Sequence, residues 1–202
     1  LFQNFSPDDY VINLLRRGIA NAQDVCIYVP SVGGVTILSE SGEYFTDIVN
    51  LNKFCQCHAK DFKIKVFDDS KVKSYKYSVG RNVDELMWQA GFYASAGRLM
   101  EGCNWDDVLE LDHWPNFTRL PITANTLRIA SLLSHQATSI EYIITCLRIS
   151  REEAYQFYSA ARCAGLVRVV NRSAKEPSLK PHRNQALLSL LLKKIGQNLK
   201  LS

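Results

Sequence analysis

The chain has 202 residues, of which 47% are hydrophobic and 22% charged, and it carries a net charge of +4. These proportions are those of a folded globular protein and exclude a disordered or low-complexity chain. No run of about 18 apolar residues occurs, so no helix that crosses a bilayer is expected.

The first residue is Leu, as expected of a trimmed fragment, so a missing signal peptide says little about the native start. Ser6-Pro7-Asp8-Asp9 predicts a helix start: a hydroxyl to cap, a proline at the first helical position, and carboxylates beside the positive end of the dipole. Val11, Leu14, Leu15 and Ile19 supply the apolar face. Val25 to Val29, Gly34 to Leu38 and Tyr44 to Val49 are short β-favouring runs parted by Gly, Ser and Pro. Ser31-Val32-Gly33-Gly34 reads as a hairpin turn, because it lacks the lysine of a P-loop and the third glycine of a dinucleotide fingerprint. Cys55 and Cys57 are expected to alternate in burial along a strand. Phe62 to Phe67 sets apolar residues against Lys63 and Lys65 with the period of a half-buried strand, which Lys73 to Val79 can pair with through Asp68-Asp69-Ser70. Asn82 followed by Glu85 predicts a second capped helix, running to about Gly97. Gly102 to Pro115 is acidic and aromatic and reads as a connection leaving a first domain.

Three helices are expected next. Ile122, Ile129, Ala130 and Leu133 line the first, Ile140, Ile143, Ile144 and Leu147 the second, and Ala154, Phe157, Tyr158 and Ala161 the third. Thr138-Ser139-Ile140-Glu141 and Ser150-Arg151-Glu152-Glu153 carry the capping-box pattern, and Gly165 is placed to stop the third helix before a β-like run, Leu166 to Val170. Three short helices, a tight link between the second and third, a glycine stop and a strand resemble the winged helix-turn-helix family over about 50 of the residues. The resemblance implies that the third helix offers Arg151, Gln156, Ser159 and Arg162 to DNA. Glu152 and Glu153 oppose this, since each repels a phosphate, and winged helices also dock proteins.

Residues 162–202 hold nine Lys or Arg and a single acid, Glu176, so the body before them is net acidic. A basic end on an acidic body is the footprint of contact with polyanions. Ser173 to Asn184 reads as a basic linker, and residues 184–200 as an amphipathic helix with Leu188, Leu191, Leu192, Ile195 and Leu199 on one face, suited to pairing in a homo-oligomer. The six scattered cysteines are expected to be reduced thiols in a cytoplasmic protein. Cys55-Gln56-Cys57-His58 leaves a one-residue gap where structural zinc takes two to four, and Asp68 and Asp69 read as turn residues, so no metal is expected. His58, His113, His135 and His182 fall in separate segments with no motif around them, so neither a catalytic residue nor a cofactor is expected.

The expectation is an α+β chain in three parts: residues 1–115, an α+β sensor or oligomerisation domain with a small mixed or antiparallel sheet; 116–172, an α-rich winged-helix-like domain; and 173–202, the basic linker and terminal helix. As a function it predicts a non-enzymatic, bacterial-type regulator that contacts nucleic acid through Arg151, Gln156, Arg162, Arg168, Arg172, Lys175, Lys180 and Arg183. The alternative is a signalling adaptor that docks a protein through Trp105, Trp114 and Phe117.

Overall fold

The computed structural model describes residues 4–21, 23–66 and 80–172. After strand β1 (Asn4–Phe5), the proline and carboxylates of Pro7–Asp9 close one 3-10 turn, and helix α1 (Val11–Ala20) begins only beyond it. The helix start expected at Ser6 is therefore displaced. Tyr10, extended at φ −128°, separates turn from helix, with its ring edge-on to Phe5 and its hydroxyl accepting a bond from Arg98.

Strands β2 (Val25–Val29), β3 (Gly33–Leu38) and β4 (Glu43–Thr46) form an antiparallel meander, flanked by β5 (Lys63–Val66) beside β2 and β6 (Arg81–Asn82) beside β4. Val25 lies opposite Ile37 and Ile27 opposite Val35, so the period-two pattern turns these residues onto one face, where they are buried. The β2–β3 hairpin needs Gly33: its φ is +121°, and a Cβ there would lie 2.7 Å from Ile48 Cγ1.

Helix α2 (Leu51–Gln56) replaces the strand expected around Cys55 and Cys57. Asn50 caps it by accepting from the Asn52 N–H at 2.9 Å, and Leu51, Phe54 and Cys55 are buried at helical spacing. Strand β5 forms as expected but is not half-buried. All four of its residues are exposed, because it is the outer strand of the sheet and no described element covers the side carrying Ile64 and Val66. The Asp68-Asp69-Ser70 turn, the strand from Lys73 to Val79, the linker and the terminal helix lie outside the described residues.

Helix α3 (Val83–Ser95) starts where Asn82 accepts from the Asp84 N–H at 2.9 Å and ends on left-handed Ala96 and Gly97. Strand β7 (Leu99–Met100) pairs in parallel with β1. The stretch expected to be a bare connection contains β8 (Val108–Leu111), the central strand of a second, three-stranded antiparallel sheet. Its neighbours are β9 (Thr138–Ser139) and β10 (Val167–Val169), which follow it far along the chain and hold it by ladder hydrogen bonds that no local pattern foretells. Around this sheet lie α4 (Thr126–His135), α5 (Ile140–Leu147) and α6 (Arg151–Cys163). Ile122 is exposed and precedes α4, whose buried face is Ile129, Ala130 and Leu133. Ser139, not Thr138, caps α5, and Ser150 caps α6 by accepting from the Glu153 N–H at 3.2 Å. Gly165, with φ +66°, ends α6.

The protein is α+β. The parting expected at residue 115 is preceded by β8 and α3, and both pack against elements that follow it. One buried cluster runs from Phe5 to Val169, and among the described helices α3 and α6 pack together most extensively. Gly91 permits that approach: a Cβ there would meet the Ser159 carbonyl oxygen at 2.6 Å and Ala160 Cα at 2.9 Å. Among the described residues no helix is long and apolar enough to cross a membrane.

Candidate interaction surface

Helix α6 is the element that the winged-helix resemblance assigns to DNA. Its apolar stripe of Ala154, Phe157, Tyr158 and Ala161 is buried as expected, but Tyr155, Ser159, Ala160, Arg162 and Cys163 are buried too. Arg162, expected to be exposed, is 6% exposed, and Ser159, also expected to be exposed, is fully buried. The cause is a second packed face: α3 lies across it, and its small residues give no hydrophobic signal in the sequence. Gln156 is half-buried and donates to the Phe92 carbonyl at 3.0 Å. Arg151 stays exposed in the first turn, beside Glu152.

The arginines after α6 meet carboxylates of the β8 segment. Arg168, on β10, lies across from Glu110 and binds it at 2.7 Å and Asp112 at 3.1 Å. Arg172 donates through Nε and Nη2 to both oxygens of Asp107 and through Nη2 to the Gly102 carbonyl at 2.8 Å. Asp107 is fully buried and also accepts from the Tyr158 hydroxyl at 2.5 Å and the Asn104 N–H at 2.8 Å. Burial by itself would raise its pKa. The bonds from Arg172, Tyr158 and Asn104 outweigh burial and hold the carboxyl below the ordinary range. The same pairing raises the Arg172 pKa, and burial pushes the neighbouring Cys103 thiol up to about 12. Asn171 completes the seal, accepting from the Val108 N–H and donating to the Asp106 carbonyl, both at 3.0 Å. Lys175, Lys180 and Arg183 lie outside the described residues.

The aromatic set divides. Trp88 is buried in α3, donates its indole N–H to the Pro121 carbonyl at 2.9 Å, and has Phe157 and Phe117 edge-on at 5.7 and 5.9 Å. Phe117 is half-buried and in turn meets Trp114 edge-on at 5.9 Å. Trp114 is 57% exposed, so this run of rings leads from the core to the surface. Trp105, 51% exposed, sits in the turn before β8, and its carbonyl accepts from the Glu141 N–H of α5 at 3.2 Å. The next residue of α5, Tyr142, is exposed as well, an aromatic that the sequence reading did not single out.

Asp107 was not foreseen as the partner of Arg172 either. No spacing rule joins it to Arg172, 65 residues away. As for chemistry, among the described residues no group of three His, Cys, Asp or Glu is placed to hold a metal. His58 stacks on Tyr10, and His113 and His135 are exposed in separate segments. The five-stranded sheet bears an open hollow of about 900 Å³ bordered by Cys26, Tyr28, Gly34, Phe45 and Arg81, with Asp47 its single described carboxylate. All six cysteines are free thiols. No family model, no curated protein and no solved structure matches the chain.

Proposed function

We propose that this chain is a non-enzymatic regulatory protein whose C-terminal helical unit docks a protein partner. One observation carries the reading. Arg162 is buried, Arg172 is bound by the buried Asp107 carboxylate, Arg168, though half exposed, is paired with Glu110 and Asp112, and Trp105 and Trp114 are half exposed. A phosphate would have to displace the carboxylates that already hold Arg168 and Arg172, whereas tryptophan is enriched among the residues that anchor protein interfaces. The order and caps of α4, α5 and α6 support the likeness to a winged helix-turn-helix unit that binds protein. The hollow on the N-terminal sheet supports a sensor role there, and the free thiols support a reducing, cytoplasmic setting. The second reading, contact with nucleic acid, is favoured by exposed Arg151 and by the basic residues Lys175, Lys180 and Arg183.

Photo-cross-linking separates the two. A photoreactive amino acid placed at 105 or 114 in the full chain is expected to yield discrete protein adducts in cells, and at 151 none that nuclease removes. Nuclease-sensitive adducts at 151, with none to protein at 105 or 114, would overturn the docking reading.

A further inference from the structure

We propose that the outer face of the second sheet, with Trp105 and Tyr142 beside it, is the docking site of the leucine-bearing stretch 184–200 of the same chain, which a protein partner must displace. The displacement rests on the docking reading above; the docking of the chain's own segment does not.

Strands β10, β8 and β9 turn Val169, Leu109 and Thr138 towards the core, where all three are buried. Side chains alternate along a strand, so Val170, Val108 and Ser139 face the other way. Val170 extends the ladder by donating to the Val108 carbonyl at 2.9 Å, and Val108 lies opposite Ser139. Ser139 caps α5, and in the first turn of that helix the Glu141 N–H reaches the Trp105 carbonyl, which brings Tyr142 and Trp105 to the same end of the sheet. Trp105 and Tyr142 are each 51% exposed, and Val170 is 44% exposed. Asp106 and Glu141, the neighbours of the two aromatic residues in the chain, are exposed as well.

The point where the chain leaves the described residues chooses the occupant. Asn171 accepts from the Val108 N–H and donates to the Asp106 carbonyl, and Arg172 holds Asp107 and the Gly102 carbonyl, so residue 173 starts beside the Trp105 turn. Thirty residues follow, outside the described ones. Among them Leu188, Leu191, Leu192, Ile195 and Leu199 have the spacing of one helix face, and Lys and Arg outnumber acids six to one, opposite in sign to Asp106 and Glu141. Residues 173–183 can span at most about 40 Å, which keeps the leucines at an effective concentration on the order of millimolar around Trp105. A second copy in a solution of about micromolar strength is far more dilute, so the tether selects the chain's own segment.

The test uses the full chain with a photoreactive phenylalanine at position 142, purified and illuminated in dilute solution. The expected product has the mass of one chain and joins position 142 to a peptide from 184–200, identified by mass spectrometry. Leu191→Asp together with Ile195→Asp, both outside the described core, should lower its yield at least about tenfold, and K193E/K194E about threefold or more. In cells, adducts to other proteins from a photoreactive residue at 105 should rise about threefold or more in the L191D/I195D variant, because the partner no longer competes with the segment. Products with the mass of two chains, cross-links only to other segments, or a yield indifferent to L191D/I195D would overturn the proposal. Partner adducts that do not rise would overturn the displacement. No partner adduct in either form, beside an intact intramolecular product, would overturn the docking reading and the displacement with it, and leave the docking of 184–200 standing.

Discussion

Asp107 and Arg172 lie 65 residues apart and are joined by two side-chain hydrogen bonds at a point where one carboxylate also receives a tyrosine hydroxyl and a backbone N–H. The contact fixes the end of β10 and the root of the basic C-terminal segment against the turn before β8. Replacing Asp107 by Asn keeps the shape and removes the charge. Because Arg172 still reaches water, the expected loss is about 2 kcal/mol, read from urea unfolding, with faster proteolysis just beyond residue 170.

The same group sets a pH dependence. The Asp107 carboxyl is held below its ordinary range in the folded chain, so its contribution is fully present above the unfolded value of about 3.9 and is lost as pH falls through the lower folded value. The stability gap between the wild type and Asp107→Asn is therefore expected to be constant near neutrality and to close below about pH 4. A gap that stayed open there would show that the carboxylate charge is not what holds Arg172.

At the α3–α6 contact, Gly91→Ala forces a Cβ to 2.6 Å from the Ser159 carbonyl oxygen and 2.9 Å from Cys163 Sγ. Since the first of these atoms belongs to the backbone, the two helices must separate. A loss of about 1–3 kcal/mol is expected in spite of the better helix propensity of alanine. Thermal unfolding measures it, and an unchanged or raised Tm would show that the pair has slack.

Ser150→Ala removes the side chain that accepts from the Glu153 N–H, and is expected to cost about 1 kcal/mol in denaturant unfolding. Arg168→Ala, by contrast, breaks pairs whose partners are all substantially exposed and should cost under about 1 kcal/mol.

Thiol labelling checks the burial pattern. Cys146 is exposed, whereas Cys55, Cys103 and Cys163 are buried, with burial raising the pKa of each. Alkylation of the native chain is expected at Cys146 first, and at those three only on unfolding. Early modification of Cys103 would contradict the packing around Asp107.

Much of the architecture was legible wherever a single segment holds the signal. Asn82 and Ser150 cap the helices they precede, Gly165 ends α6, the Gly33 turn joins β2 to β3, and the apolar spacing of 140–147 and 154–161 marks two helices. The helix at 51–56 was legible too, from Asn50 and the spacing of Leu51, Phe54 and Cys55, but the paired cysteines suggested alternation instead. Of the candidate surface, Trp105 and Trp114 could be singled out by residue type, because nearby apolar patterns left them unclaimed.

What the sequence determined by itself is what neighbouring residues decide: caps, turns, the period of each face, and hence an α+β chain. Only the tertiary structure decided which cations are paired, because a charge is neutralised by whatever the fold brings beside it. Arg168 and Arg172 meet Glu110, Asp112 and Asp107 across a sheet. It likewise decided that α6 is covered on two sides, since Ser159, Ala160 and Gly91 allow close approach by being small, and smallness leaves no hydrophobic period to read.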